Sequence, residues 1–169
     1  MPLFAAAAGV GFASAAYWTF SRDLVVRFGD LSATGSTLFW TAIGVSGLAG
    51  DLVRRVGLSM TYRASVPSMA AAIGLLAAAP GAQLWAYSSA VLFGSTYIML
   101  TGIILVWSVS VFRERPSAGL GAAFLIIALG QVFGALAAGT LSEAAGLVVT
   151  FWVFAGVGVA AALIGSQTE

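Results

Sequence analysis

The sequence predicts an all-α integral membrane protein: six transmembrane helices arranged as a 3+3 inverted repeat. Three observations lead there. Of 169 residues, 60% are hydrophobic and only 8% charged, and the mean hydropathy is +1.03. A water-exposed surface normally carries about 25–35% charged residues, so lipid must face most of this chain. The charges fall in short clusters, which leave apolar stretches near the ~20 residues that a membrane span needs. Finally, a short motif occurs twice, once in each half of the chain.

Taken in order, helix one is predicted over residues 3–20, closing on Ser21-Arg22-Asp23. No charge precedes Arg22, whereas a secretory signal opens with a positively charged segment. The segment is therefore read as a helix that stays. Its abrupt apolar start fits a fragment or a truncated gene. Residues 21–32 form a polar connection in which Asp30 or Ser32 can cap the next helix. Helix two is predicted over 34–50, ending at Asp51-Leu52-Val53-Arg54-Arg55. It is about one turn short, at roughly 25 Å against about 30 Å of hydrocarbon. Helix three covers 59–79 and stops at Pro80-Gly81. Helix four runs over 83–112, up to Arg113-Glu114-Arg115-Pro116. Helix five spans 117–141 and helix six 146–164, before a polar tail.

All the basic residues are arginines, and their distribution sets the orientation. The connections after helices two and four, with the start of helix three, hold Arg54, Arg55, Arg63, Arg113 and Arg115, while the opposite face holds Arg22 and Arg27. Positively charged loops stay in the cytoplasm, so these two connections are expected inside, together with both termini.

The repeat is Ala49-Gly50-Asp51-Leu52 followed by Gly57, matched by Ala138-Gly139-Thr140-Leu141 followed by Gly146. Each copy ends the second helix of a triplet, about 1–80 and 81–169. Helices two and five cross in opposite directions, so the triplets are expected to be inverted.

Several function classes are excluded. The chain has no cysteine and no histidine, so it can build no disulfide, no Cys/His zinc centre and no Ser-His-Asp triad. Gly44-Val45-Ser46-Gly47 has the GxSG pattern of a serine nucleophile but lacks the histidine base. Neither an enzyme nor a cofactor is implied. The arginines form no basic face for nucleic acid.

The loop Gly47-Leu48-Ala49-Gly50-Asp51-Leu52-Val53-Arg54-Arg55 resembles the signature GxxxD(R/K)xG(R/K)(R/K) between the second and third helices of a major facilitator superfamily half. Gly47, Asp51 and Arg55 match; Leu52 and Arg54 replace the usual basic residue and glycine. Arg113-Glu114-Arg115-Pro116, Gly119-Leu120-Gly121 and Gly130-Gln131-Val132-Phe133-Gly134 are similar to the helix ten-to-eleven region of the YbfB/YjiJ-like branch. Tyr17-Trp18-Thr19-Phe20-Ser21 is similar to its helix seven. The resemblance implies a C-terminal half, helices seven to twelve, in a bacterial inner membrane. It also implies a gating role for Asp51 and Arg55, with Arg54 a substitute. The bland reading is that these arginines only hold topology.

Polar groups within the spans are candidates for lining a pathway, above all Tyr17, Thr19, Tyr97, Thr101 and Gln131. The competing reading is that each Ser or Thr bonds its own backbone and that small residues tighten helix contacts. Gln131 is a mid-helix amide and needs a partner, either another helix or a substrate. No ionisable residue is placed deep in a span. The expected function is transport of a small molecule by alternating access. The partners would be the bilayer and either a second six-helix half or another copy of the chain. The alternative is a non-transporting membrane subunit or a truncated remnant.

Overall fold

The computed structural model describes residues 2–29, 31–48 and 58–165. Among them the regular structure is entirely helical: α1 (Pro2–Gly29), α2 (Ala33–Ser46), α3 (Leu58–Ala78), α4 (Gln83–Val111), α5 (Pro116–Ala145) and α6 (Leu147–Gly165). Three of these, α1, α4 and α5, are long and apolar enough to cross a membrane. α6 is apolar over the shorter run Leu147–Ala161.

Helix boundaries depart from expectation in three places. The segment read as a polar connection after Phe20 is instead the last turns of α1. Leu24 and Val25 are fully buried there, so the core-facing stripe continues past the charges. Asp23 accepts a bond from Arg27 Nε at 2.7 Å, the i,i+4 spacing that supports a helix. α1 is consequently about 42 Å long at 1.5 Å per residue.

α2 is shorter than expected. Its 14 residues span about 21 Å, and the chain then tightens into a 3₁₀ turn at Gly47 and Leu48. Ser32, not Asp30, supplies the N-cap, its side chain accepting the Gly35 N–H at 3.1 Å. α5 continues to Ala145, so residues 138–141 lie within its last turns rather than at its end. Gly139 opposes a helix there by only about 1 kcal/mol, too little to end it. The stop comes at Gly146, whose φ of 87° lies where residues with a Cβ are strained. Gly146 also serves the next helix, since its carbonyl accepts both the backbone N–H and the hydroxyl of Thr150.

Successive helices run alternately up and down. At one end the last residues of α1 meet the α3–α4 turn, Gly29 against the Pro80 carbonyl and Gly81 against that of Phe28. The end of α5 is there too, with Gly139 facing Phe20. At the other end Phe4 lies 6.1 Å from Phe112, ring to ring, and Ala161 of α6 reaches Gly9. Arg113 and Arg115 therefore share an end with the start of α1, and Arg22 and Arg27 sit at the opposite one.

α1 touches each of the other five helices and packs most extensively on α5. Small residues permit this: half of α1 is buried, chiefly Ala, Gly and Ser. At the α1–α5 crossing a Cβ on Gly11 would collide with the Ile127 carbonyl, and one on Gly130 would stand 2.5 Å from the Ala8 oxygen. Gly134 is equally tight against Phe12. α2 approaches α4 in the same manner, where a Cβ on Gly94 would collide with the Ile43 carbonyl. α3 packs on α4 and α6, closing a core of Met69, Ile73, Leu100, Ile104, Phe151 and Phe154.

Two substitutions test this packing. Gly146→Ala should lower the unfolding free energy in detergent by about 1–3 kcal/mol, the cost of holding a residue with a Cβ at φ 87° and ψ 162°. Gly130→Val should cost about 1–3 kcal/mol by overpacking the α1–α5 crossing, whereas Gly121→Val, where a Cβ meets nothing within 4 Å, should be close to neutral.

Candidate functional site

The site grows out of an aromatic stack contributed by α1, α2 and α4. Tyr17 and Trp18 are consecutive on α1, so their side chains diverge by about 100° and straddle Phe93 of α4. The Tyr17 ring stacks on Phe93 at 3.8 Å between centroids, and Trp18 meets it edge-on at 5.6 Å. Trp18 also meets Tyr97 edge-on at 5.2 Å and lies 5.6 Å from Trp40 of α2. Edge-to-face pairs of this kind add about 0.5–1.5 kcal/mol beyond their area.

On the inner side of the stack, Tyr17 is fully buried and its hydroxyl lies 2.8 Å from Ser89 Oγ. Ser89 gives its own proton to the Ala72 carbonyl at 2.7 Å, so the Tyr17 O–H is the donor between them. The relay fastens α1, α4 and α3. On the outer side is an open groove of about 580 Å³ between α1, α4 and α5, walled by Ala15, Trp18, Thr19, Tyr97, Gln131 and Val132 among others. Gln131 Nε2 donates to the Tyr97 hydroxyl at 2.9 Å across the α4–α5 seam. The Trp18 indole N–H is buried close to the same hydroxyl but completes no hydrogen bond of ordinary geometry.

Three of the five expected pathway residues, Thr19, Tyr97 and Gln131, thus meet in one groove. Thr101 stands one turn along α4, half-buried, and its hydroxyl donates to the Tyr97 main-chain carbonyl at 3.0 Å. Tyr17 does not share the groove. Residues two apart on a helix point about 200° apart, so Tyr17 and Thr19 cannot line one side together. Trp18, not among the expected residues, forms part of the wall. Its phase relative to Thr19 was the available signal. Most other Ser and Thr hydroxyls bond carbonyls three or four residues back, as at Thr41, Thr96 and Ser108. Asp51, Arg54 and Arg55 lie outside the described residues.

The groove's mixed lining distinguishes it from the other grooves between helices, while a more polar pocket of about 610 Å³ lies at the α4–α5 link, lined by Ser110, Arg113, Glu114 and Arg115 among others. Two other grooves, of about 470 Å³ between α1, α5 and α6 and about 570 Å³ between α3 and α6, have apolar and aromatic walls. The described charged residues stand near helix ends or in links. Among the described residues, no group of His, Cys, Asp and Glu is placed to hold a metal. No family model and no curated protein matches the chain.

The Tyr97–Gln131 bond is testable by a double-mutant cycle in detergent. Tyr97→Phe and Gln131→Leu should each destabilise the chain by about 0.5–1.5 kcal/mol, with a coupling near the ~0.6 kcal/mol typical of such bonds between membrane helices. Purely additive effects would mean that the bond contributes nothing.

Proposed function

We propose that the chain is a six-helix transport module of the major facilitator type, the C-terminal half of a transporter that moves a small molecule by alternating access. The supporting observation is the matched way in which its two halves pack. Gly11 of α1 abuts the Ile127 carbonyl of α5, and Gly94 of α4 abuts the Ile43 carbonyl of α2. Gly94 follows Gly11 by 83 residues, and Ile127 follows Ile43 by 84. Exchanging α1, α2 and α3 for α4, α5 and α6 therefore turns one contact into the other. The same exchange relates α1–α6 packing to α3–α4 packing. Two inverted triplets about a pseudo-two-fold axis have this property.

In this reading all six helices cross the membrane, in a bacterial inner membrane. The arginine-bearing end near Phe4 and Phe112 faces the cytoplasm, as positive loops prefer. The short α2 is accommodated by its neighbours. The groove is one wall of a substrate pathway completed by a second bundle, either another half or another copy. Its volume lies within the roughly 300–1,000 Å³ of small-molecule sites.

Topology and flux test the proposal separately. The chain has no cysteine, so single Arg27→Cys and Arg115→Cys variants can be labelled with an impermeant maleimide. Opposite sidedness is expected; labelling from one side alone refutes the six-span arrangement. In vesicles, the chain with its partner half should carry a solute in a manner reduced at least about tenfold by Gln131→Ala, the scale of a lost buried hydrogen bond. Absence of any flux and of any solute-dependent stabilisation would leave a non-transporting subunit.

A further inference from the structure

Arg22 stands one helical turn beyond the groove on the same face of α1. It follows Thr19 by three residues and Trp18 by four, the spacings that bring helical side chains together. Side chains on a helix lean toward its N-terminus, so Arg22 lies over the turn that carries Trp18 and Thr19. It is exposed and takes part in no ion pair among the described residues, while the adjacent Asp23 is already bound to Arg27. No acidic side chain lines the groove. The Gln131 carbonyl oxygen has no side-chain partner among the described residues, because only its amide nitrogen is used by Tyr97.

We infer that the groove selects an amphipathic organic anion: a carboxylate with a planar apolar body. This rests on the transport reading above and gives it a substrate class. The carboxylate pairs with the Arg22 guanidinium, whose planar fork matches two carboxylate oxygens at once. The body lies against the Trp18 ring, and any donor on it reaches Gln131 Oε1. Aromatic faces alone would also suit a cation, but the exposed Arg22 one turn beyond the groove, in no ion pair among the described residues, reverses that preference. Arg22 lies about 30 Å along α1 from Pro2, at 1.5 Å per residue. A bound head group would thus stay near the hydrated edge while the apolar body enters the bundle.

The test uses the full chain in micelles, with tryptophan fluorescence as the readout. The probes are the ring-hydroxylated 4-hydroxybenzoate, 4-hydroxybenzamide and 4-hydroxybenzylammonium (hereafter benzoate, benzamide and benzylammonium), whose phenol O–H is the donor to Gln131 Oε1. A Trp18→Phe variant identifies the groove's share of the signal. Benzoate should bind about tenfold more tightly than benzamide, as expected for a charge-assisted bond, with benzylammonium the weakest. Arg22→Gln should bring benzoate down to the level of benzamide, and Arg22→Lys should keep part of the difference. Gln131→Ala should weaken acid and amide alike. Equal affinities for benzoate and benzamide, both sensitive to Gln131→Ala, would overturn the anion assignment and leave the groove as a neutral site. So would a preference that survives in Arg22→Gln. No saturable, Gln131-sensitive binding of any probe would overturn the groove itself.

Discussion

The outside of this bundle is as apolar as its inside. Phe124, Leu125, Phe133 and Leu136 of α5 are all more than half exposed, so burial of apolar area cannot decide which helices become neighbours. What can decide it is how closely two backbones approach, and that depends on where side chains are missing. Gly11, Gly130 and Gly134 bring α1 and α5 together until a carbonyl of one occupies the place of a Cβ on the other. With that crossing fixed, α1 lies at the centre and the remaining helices can pack only around it. The aromatic stack, the Tyr17–Ser89 relay and the groove are consequences of where α1 then presents its next turns.

Much of this organisation is legible in the chain, for local reasons. α3, α4 and α6 begin and end within a residue of the expected bounds, with Pro80-Gly81, the Arg113–Pro116 run and Gly146 as their punctuation. The misplaced boundaries have tertiary causes. α1 continues through Arg22 and Asp23 because Leu24 and Val25 find a buried place on the far side, which a charge cluster read by itself does not reveal. The AGxL motif recurs at a spacing of 89 residues, whereas the matched glycine approaches recur at 83 and 84. A glycine's role depends on the carbonyl opposite it, and composition alone cannot identify that partner.

The site follows the same division. Gln131 could be recognised because an amide within an apolar helix must find a partner, and it finds the Tyr97 hydroxyl. Thr19 and Tyr97 could be named as polar groups within spans. Helical phase, however, sends Tyr17 inward and turns Trp18 toward the groove instead. Thr101 illustrates the bland reading: its hydroxyl bonds its own helix at Tyr97 O.

The groove also lies along a thinly packed seam. α5 packs extensively on α1 but far less on α4, and the Gln131–Tyr97 bond spans that thin seam from a half-exposed position. Just inside it, Tyr17, Phe93 and Ser89 are wholly buried and hold α1 to α4. The two glycine-fastened pairs, α1 with α5 and α2 with α4, can thus be regarded as units that meet along one aromatic seam. Displacing one unit against the other would break the outer polar bond before it disturbed the inner relay. An acceptor offered to Gln131 Nε2 would replace that bond at little net cost, since a hydrogen bond exchanged for another is worth only about 1 kcal/mol. The seam is therefore a place in the bundle where a polar bond between helices can be exchanged without disturbing the buried contacts behind it.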